Sequence, residues 1–309
     1  MTLNFSQDNY WINVEKPVGY SSAKVVAIVK KITAAKKVGH GGTLDPFAEG
    51  VLPVAINKAT KTCQHIMDAK KRYFFRISWG EFRDTDDIEG KVEETSDLRP
   101  TNDQIITILP FFIGKIKQTP SRFSALKIDG KRAYELARNE INFEIKQREV
   151  EIFFIKMLAN NSEYGDFEVA CSKGTYVRSI ARDLCKKMAI CGYVSQLKRL
   201  EVGKFNYKKI ISLAKLKRLV NYGESFFDGS LLSLHDVLDF MVEIKLDDLD
   251  ASRFRNGQII TINNVSDCSS SNLNHNSNDF VSKARVVNNG VLIGLGEFDK
   301  NLLKPINVF

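Results

Sequence analysis

The feature that most constrains the fold is a series of strand and helix patterns that follow one another without a regular repeat. Within 73–79 every second residue is apolar, which predicts a strand with one face more apolar than the other. The same alternation runs through 166–172, and 151–158 is a further strand candidate. Apolar residues at helical spacing predict a helix over 177–188. Because no βαβ repeat organises these elements, we predict an α+β fold whose mixed, mainly antiparallel sheet is flanked by helices.

A further helix is predicted near the start of the chain. Val25, Val29 and Ile32 lie at helical spacing. Ser21 or Ser22 can cap this helix, because a serine hydroxyl accepts a hydrogen bond from a backbone N–H of the first turn. The turn residues that precede the serines therefore lead directly into a helix.

The last part of the chain differs from the rest in charge and pattern. Residues 239–309 carry a net charge of −2, whereas residues 1–238 carry +10. Nine of the fourteen residues in 266–279 are Ser or Asn, which predicts a flexible loop. Asn289-Gly290 lies between strand-like segments and is a hairpin signal. We predict a main domain at 1–238 and a small β-rich domain at 239–309.

The composition limits the class of protein. A chain of 309 residues can bury a full core, and it contains no apolar run of bilayer length and no signal pattern at its start. The five cysteines include no CxxC pair, which argues against a disulfide framework and a zinc ribbon. We expect a cytoplasmic protein that contacts no membrane.

The main domain is basic enough to suggest a polyanionic partner. The range 198–218 holds eight basic residues and one acidic residue. Lysine and arginine that neutralise phosphates release condensed counterions, which favours binding to nucleic acid. A solvated helix face produces the same kind of run, so both interpretations stay open at this point.

The sharpest local feature is the loop Gly39-His40-Gly41-Gly42-Thr43-Leu44-Asp45-Pro46. Its glycines allow another backbone or a flat ligand to approach closely, and Pro46 biases Asp45 away from helical geometry. A carboxylate is therefore expected on a loop, not on the face of a helix. Most Asp-Pro pairs only close a turn, and the residues alone leave that alternative open.

Four segments together resemble the signature blocks of the TruB-type pseudouridine synthases. They occur in the family's order and cover essentially Lys16 to Gly203. The segments are Lys16-Pro17-Val18-Gly19-Tyr20-Ser21-Ser22; Gly39 to Pro46 with Gly50-Val51-Leu52; Ser124-Ala125-Leu126-Lys127 with Gly130, Tyr134, Ala137 and Arg138; and Cys171-Ser172-Lys173-Gly174-Thr175-Tyr176-Val177-Arg178-Ser179.

The resemblance implies a fold, an activity and a substrate. It implies the pseudouridine synthase fold at 1–238, a segment at 118–146 that clasps the T-loop, and a PUA-like C-terminal domain. The implied reaction isomerises uridine 55 in the T-loop of tRNA to pseudouridine by breaking and re-forming the glycosidic bond. The implied partner is tRNA, through its T-loop and stem, and we expect a monomer that requires no protein partner.

The resemblance also implies roles for single residues. Asp45 would be the nucleophile, Tyr73 the aromatic ring that stacks on the target base, and Arg178 the ion-pair partner of Asp45. Leu197 would form an apolar wall of the pocket, and His40 would hold the flipped RNA. Further contacts to the substrate are implied for Tyr176, Lys16, Lys127 and Arg138.

Physical chemistry supports these roles but also offers ordinary alternatives. A planar guanidinium can hold a carboxylate in two hydrogen bonds, which would orient Asp45 and keep it ionised. Arg178 could instead form a surface ion pair with Asp183 or Glu201. Tyr73 could be a plain core aromatic, and His40 a loop histidine whose hydrogen bonds are all local.

The reaction needs no redox step and no group donor. The sequence contains no Walker loop, no GxGxxG and no cluster with metal-ligand spacing, so we expect no cofactor and no metal. Attack by Asp45 on C6, attack on C1′ and elimination at the sugar all stay open.

Two rival functions are a non-catalytic RNA-binding or RNA-folding protein and a guide-dependent synthase resembling dyskerin. Asp45 argues against the first, because a carboxylate near phosphates would only repel. The clasp segment argues against the second, because it favours a stand-alone enzyme. A glycosidase would need a second catalytic carboxylate, and no motif supports Glu49 in that role.

Overall fold

The computed structural model describes residues 5, 8–124, 126–128, 130–139, 141–223, 229–262, 268–269, 282–299 and 301–309. The strands in these ranges are β1 (Tyr10–Lys16), β2 (Val38–His40), β3 (Glu49–Ile56), β4 (Lys71–Trp79), β5 (Glu81–Arg83), β6 (Val92–Thr95), β7 (Gly114–Gln118), β8 (Lys127–Ile128), β9 (Lys131–Arg132), β10 (Arg148–Asn160), β11 (Tyr164–Cys171), β12 (Gly192–Val202), β13 (Phe205–Asn206), β14 (Leu231–Ser233), β15 (Val242–Lys245), β16 (Ile260–Thr261), β17 (Cys268–Ser269), β18 (Ser282–Asn288), β19 (Val291–Asp299) and β20 (Leu302–Val308).

The α-helices are α1 (Ser22–Thr33), α2 (Cys63–Asp68), α3 (Asn102–Ile108), α4 (Ala133–Arg138), α5 (Val177–Met188), α6 (Leu213–Tyr222), α7 (Leu234–Val237) and α8 (Asp248–Arg255). Short 3-10 helices lie at Asn57–Thr62, Leu109–Phe112 and Tyr207–Lys209. Ser21 caps α1 as predicted, since its hydroxyl accepts a hydrogen bond from the backbone N–H of Lys24 at 3.1 Å.

The main sheet has ten strands and is largely antiparallel, as predicted. Its order is β14-β1-β3-β12-β4-β11-β10-β7, with β2 paired to β3 and β13 paired to β12. The contact between β3 and β12 is parallel, and the other neighbours in this sheet run antiparallel. Strand β12 therefore brings two distant parts of the sequence, β3 and β4, to its two sides.

Helices bury the apolar side chains of this sheet. Ile180 and Leu184 of α5 pack on Phe75 and Phe167, whose rings stack with centroids 5.2 Å apart. Helices α1 and α6 cover the part of the sheet formed by β1 and β3. Each such fully buried side chain contributes about 1.5–3 kcal/mol to stability.

The predicted clasp segment connects two neighbouring strands of the sheet. Strands β7 and β10 pair antiparallel, from Arg148 opposite Gln118 to Ile152 opposite Gly114. The intervening chain contains the small hairpin β8–β9 and helix α4. It therefore projects from one edge of the sheet as an insertion.

A second sheet occupies the C-terminal part of the chain. Its order is β16-β20-β19-β18-β15-β17, around a core that includes Ile244, Phe254 and Val286. The predicted hairpin joins β18 to β19 through Asn289 and Gly290, whose φ angles are +50° and +76°. The chain is thus α+β with a separate β-rich C-terminal sheet.

The chain passes from one sheet to the other between β14 and β15. The domain boundary at 238/239 falls in this passage and stays a prediction. Leu238 packs against Leu295 at the same place. Of the predicted flexible loop at 266–279, only β17 lies within the described residues. Within the described ranges, no helix is long and apolar enough to cross a membrane.

Candidate active site

The loop that carries Asp45 joins β2 to β3 and is tied to the start of the chain. The backbone N–H of Leu44 donates to the hydroxyl of Ser22 at 2.9 Å, and the backbone N–H of Gly19 donates to the carbonyl of Pro46 at 2.8 Å. The backbone N–H of Ala48 donates to the carbonyl of Asp45 at 3.1 Å. Asp45 therefore lies on a loop that is fixed on both sides, and its side chain is 30% exposed.

The glycine-rich part of the loop packs closely at Gly41, against a side chain and not against another backbone or a flat ligand. A Cβ atom at Gly41 would lie 2.4 Å from the side chain of Ile66 in α2. That distance is far below van der Waals contact, so a larger residue would push the loop away from α2. The small residue at this position allows the loop to lie against the helix.

Arg178 of α5 forms an ion pair with Asp45. Its Nε lies 3.0 Å from Oδ2 of Asp45, and its side chain is only 3% exposed. The helix begins after Tyr176, whose backbone N–H donates to the Gln118 side chain at 2.8 Å. Burial opposes the positive charge, but the carboxylates of Asp45 and Asp87 keep the pKa of Arg178 above its ordinary value.

The contact between Arg178 and Asp45 differs from the expected pair of hydrogen bonds. Only Nε approaches the carboxylate, without the alignment of a hydrogen bond. Nη1 forms an ion pair with Asp87 at 2.9 Å and donates a hydrogen bond to the carbonyl of Thr85. Nη2 donates to the carbonyl of Phe123 at 3.2 Å. The expectation of two hydrogen bonds between Arg178 and Asp45 was wrong, because these other acceptors bind Nη1 and Nη2 of the guanidinium.

The alternative ion pairs of Arg178 are not formed. Asp183 pairs instead with Arg182, at 3.0 Å, and Glu201 pairs with Arg72 at 2.5 Å. These carboxylates are satisfied by other arginines. Arg178 therefore pairs with Asp45 and not with these two carboxylates.

Asp87 is a site residue to which the sequence analysis gave no role. Its carboxylate is 3% exposed, pairs with Arg178, and accepts a hydrogen bond from the hydroxyl of Thr85 at 2.6 Å. Burial raises the pKa of Asp87, while the charge of Arg178 acts in the opposite direction. In the sequence Asp87 belongs to a cluster of acidic residues in a loop, and such a cluster is more often solvated.

Tyr73 faces the same cavity as the ion pair. It lies on β4 directly opposite Arg199 of β12 and is 9% exposed. The cavity has a volume of about 360 Å³, and five of the predicted residues line it: Asp45, Tyr73, Tyr176, Arg178 and Leu197. Burial raises the pKa of Tyr73, and Arg199 acts in the opposite direction. The phenol is therefore neutral at physiological pH.

Lys16 and His40 lie next to the loop but are not part of the cavity wall. Lys16 is fully buried, and its ammonium donates to the carbonyls of Pro17 and Pro46 at 2.9 and 3.0 Å. Nδ1 of His40 accepts from the backbone N–H of Gly42 at 3.3 Å. In this structure both side chains support the loop, and their contacts to a substrate stay predictions.

The clasp segment reaches the site through its backbone and one apolar side chain. Leu126 lines the cavity, and the carbonyl of Phe123 binds Arg178. Lys127 lies on β8, and Arg138 ends α4 with an exposed side chain. The segment is thus placed beside the cavity, whereas contacts of Lys127 and Arg138 with RNA stay predictions.

The charges of the site are arranged around one carboxylate with access to the cavity. Asp87 and Arg178 are both buried, whereas Asp45 is partly exposed. Among the described residues, no group of three or more His, Cys, Asp or Glu side chains is placed to hold a metal ion. The arrangement presents an oriented carboxylate beside an aromatic ring, which suits nucleophilic chemistry on a flat base.

Comparison with solved structures defines the class of this fold. The chain superposes with a TM-score of 0.74 and 22% identity on a chain from an H/ACA ribonucleoprotein bound to a substrate RNA containing 2′-deoxyuridine. The match covers 97% of this chain and 84% of the other. The fold is that of the pseudouridine synthases.

Comparison of sequences narrows the class to one family. Residues 30–177 match the family described as TruB family pseudouridylate synthase (N terminal domain). The tRNA pseudouridine synthase B of Ehrlichia ruminantium is 42% identical over 309 residues, which covers 97% of this chain and 98% of the relative. That of Ehrlichia chaffeensis is 45% identical over 259 residues, 82% of this chain and 87% of the relative. The chain belongs to the TruB family of pseudouridine synthases and is an isomerase.

Proposed function

We propose that this enzyme converts uridine 55 in the T-loop of tRNA to pseudouridine, with Asp45 as the nucleophile. The observation that carries the proposal is the ion pair of Asp45 with the buried Arg178, 3.0 Å apart at the wall of a cavity that Tyr73 also lines. Relatives named tRNA pseudouridine synthase B, of nearly the same length, support tRNA as the substrate.

Orientation of the Asp45 carboxylate is the first requirement of the reaction. The Nε atom of Arg178 lies 3.0 Å from Oδ2 of Asp45, and Nη1 of the same guanidinium lies 2.9 Å from Oδ2 of Asp87. Asp45 is thereby held in place while its side chain stays 30% exposed at the cavity.

Access to the target base is the second requirement. Uridine in a folded RNA must be flipped out of its stack, at a cost of about a few kcal/mol. Stacking on Tyr73 and contact with Leu197 would offset that cost, since both side chains line the cavity. Tyr176 lines the same cavity and can contact the flipped nucleotide.

The reaction can then proceed with the side chains that line the cavity. Asp45 adds to C6 of the base or to C1′ of the sugar, or it promotes elimination at the sugar. In each case the bond between N1 and C1′ breaks, the uracil rotates and C5 bonds to C1′. C5 then loses its proton, N1 takes up a proton, and any bond to Asp45 breaks again. Substrate and product are isomers, so we propose that neither a cofactor nor a metal takes part.

The clasp segment supports a substrate of tRNA size. It adjoins the cavity through Leu126 and Phe123 and carries the exposed Arg138. We propose that Lys127 and Arg138 contact the T-loop and stem. We further propose that the enzyme acts as a cytoplasmic monomer without a protein partner.

Mapping the modification tests this proposal. An unmodified tRNA transcript is incubated with the enzyme, and pseudouridine is located by carbodiimide treatment and primer extension. We expect one stop, which reports position 55 of the T-loop. A transcript with cytidine at position 55 is the control and should give no stop there.

Two results would contradict the proposal. A stop at another uridine would show that the site of action is different. Tight binding of the transcript without any conversion would show an RNA-binding protein with an inactive site, which is the rival function.

A further inference from the structure

A second ion pair lies one helical turn from the pair of Arg178 with Asp87, and the proposed chemistry gives it no role. Nη1 of Arg182 lies 3.1 Å from Oδ2 of Asp86, and the two side chains are 13% and 5% exposed. Neither residue lines the cavity that holds Asp45. Any effect of this pair on the reaction must therefore pass through other residues.

The two ion pairs join two consecutive aspartates to two arginines on one face of α5. Arg178 and Arg182 are four residues apart and are therefore neighbours on the helix surface. In an extended chain the side chains of Asp86 and Asp87 would point to opposite sides. The φ of Asp86 is +63°, and its N–H donates to the carbonyl of Arg83 at 3.0 Å, so the chain turns there. This turn lets both carboxylates reach α5.

The conformation and the burial of Asp86 both need support from neighbouring groups. A residue with a Cβ atom keeps a left-handed conformation only where the surrounding contacts hold it. A carboxylate is buried only where it is paired. The backbone carbonyl of Asp86 accepts from the N–H of Val194 at 3.0 Å, and Arg182 supplies the opposite charge to the side chain. Arg182 therefore holds the Asp86 carboxylate against α5.

The segment that is fixed in this way binds Arg178. Nη1 of Arg178 donates to the carbonyl of Thr85 at 3.1 Å and pairs with Asp87 at 2.9 Å. The residues on both sides of Asp86 thus bind the same nitrogen, while Nε of the same guanidinium lies 3.0 Å from Oδ2 of Asp45. A shift of Asp86 would move both acceptors of Nη1 and turn the guanidinium relative to Asp45.

Arg182 also contacts the start of the clasp segment, which is a second route to the substrate. Its Nη2 donates to the carbonyl of Thr119 at 2.8 Å. The hydroxyl of Ser179 donates to the same carbonyl at 2.9 Å, so Thr119 keeps one bond to α5 when Arg182 is changed. An effect through the clasp segment would appear in tRNA binding, whereas an effect through Arg178 would appear in the rate.

We propose that Arg182 and Asp86 are positioning residues that set the orientation of Arg178 and, through it, that of the Asp45 carboxylate. This inference rests on the proposed function, in which Asp45 is the nucleophile. The pair acts through the backbone and side chains of 85–87 and does not touch the substrate.

A double-mutant cycle tests the inference. Single-turnover rates on the tRNA transcript are measured for wild type, Arg182→Gln, Asp86→Asn and the double variant, with the Kd for tRNA determined separately. Arg182→Gln leaves the buried carboxylate of Asp86 without its cation. We expect this variant to slow the rate about 100-fold, the cost of a catalytic group misplaced by about 1 Å, with little change in Kd.

The other two variants should be faster than Arg182→Gln. Asp86→Asn alone should slow the rate by only about 10-fold, because asparagine adopts the left-handed conformation and can still accept a hydrogen bond. Arg182 also keeps Asp183 as a partner in this variant, at 3.0 Å. The double variant should recover most of the rate lost in Arg182→Gln, because no unpaired charge is left and the two amides can bond to each other.

A matched control separates positioning from general destabilisation. Arg76 pairs with Asp166 between β4 and β11, at 2.6 Å, and neither residue contacts α5 through this pair. Arg76→Gln should lower stability in urea and keep the wild-type rate in the folded protein. Equal slowing by Arg76→Gln and Arg182→Gln would overturn the inference.

Three further results would also overturn it. These are a wild-type rate for Arg182→Gln, a double variant as slow as Arg182→Gln, and a raised Kd with an unchanged rate, which would place the effect in the clasp segment. Where Arg182→Gln does not fold, Asp86→Asn is measured alone, and a wild-type rate for that variant would overturn the inference.

A second measurement does not depend on activity. The ¹⁵Nε–¹Hε resonance of Arg178, assigned through Arg178→Lys, should shift in Arg182→Gln and Asp86→Asn, because the guanidinium turns relative to Asp45. It should stay in place in Arg76→Gln. An unchanged resonance in both Arg182→Gln and Asp86→Asn would overturn the inference. Failure of wild type to convert uridine 55 would contradict only the proposed function, and this resonance would still decide the role of Arg182.

Discussion

Three buried cations surround the loop of Asp45, and each meets a different environment. Arg178 is paired with two carboxylates, whereas Arg199 and Lys16 bind backbone carbonyls. Carbonyl oxygens carry only partial charge, so they compensate a buried cation less well than a carboxylate does. A buried lysine can avoid the cost of a buried charge by losing its proton, and burial lowers the pKa of Lys16 to about 8.

The lowered pKa of Lys16 predicts a specific dependence of stability on pH. Above pH 8 the folded protein releases the proton, while the unfolded chain keeps it up to its ordinary pKa of 10.5. The unfolded state then binds more protons, so stability rises with pH in this window. The penalty on the folded state is fully present below pH 8.

Comparison of wild type with Lys16→Met checks this sign. From pH 7.5 to pH 9.5, the free energy of unfolding of wild type should rise by about 2 kcal/mol relative to the variant. Urea denaturation at the two pH values measures the difference. A difference that stays constant, or changes in the opposite direction, would show that the buried ammonium does not titrate in this range.

At the level of elements, the site depends on strand β12 lying between β3 and β4. Arg199 is paired with Gly50 on one side and with Tyr73 on the other. A Cβ atom at Gly50 would lie 2.4 Å from the carbonyl oxygen of Arg199, and the φ of Gly50 is +109°. This glycine therefore allows the parallel contact that brings the loop of Asp45 beside Tyr73.

Substitution of Gly50 measures the importance of that contact. Gly114 has a similar φ of +88° but open space around its Cβ position, so it is the matched control. Gly114→Ala should cost about 1–2 kcal/mol through backbone conformation alone. Gly50→Ala should cost about 1–3 kcal/mol more, because the methyl group overpacks the strand contact. Equal losses in chemical denaturation would contradict the steric role of Gly50.

Some features of the fold could be predicted from local sequence patterns, and others could not. Helix α5 and the cap at Ser21 were predictable, because apolar spacing and capping are local. The same holds for the Asn289-Gly290 hairpin. The ion pair of Arg178 with Asp45 was reached only through the resemblance, since nothing local links the two residues.

Contacts between distant parts of the chain could not be predicted from local sequence patterns. Asp87 and Arg178 lie in different elements, and an acidic loop gives no sign that one of its carboxylates will be buried against an arginine. Arg199 was counted only as part of a basic run, because sequence does not distinguish a buried cation from a solvated one. Its hydrogen bonds to the carbonyls of Gly42 and Thr43 depend on the order of strands in the sheet.

At the scale of the whole molecule, charge divides between the two sheets. Residues 1–238 carry +10 and residues 239–309 carry −2. Binding of tRNA through the main part should release counterions and weaken as salt rises. The exposed Arg138 at the end of α4 is one side chain placed to contribute.

Salt dependence tests that contribution. Arg138→Gln should weaken tRNA binding and reduce the slope of log K against log salt by about 1 in magnitude, as expected for loss of one phosphate contact. The control is Lys245→Gln, which removes an exposed charge from the acidic C-terminal sheet and should leave the slope unchanged. An unchanged slope for Arg138→Gln would show that Arg138 does not meet a phosphate.

The most direct test of the whole account is the single-turnover conversion of tRNA by wild type and Asp45→Asn, with tRNA binding measured on the same samples. Asparagine keeps the size of the side chain but removes the charge that Arg178 pairs with. We expect the variant to bind tRNA and form no pseudouridine at position 55. Conversion by Asp45→Asn at the wild-type rate would show that Asp45 is not the nucleophile.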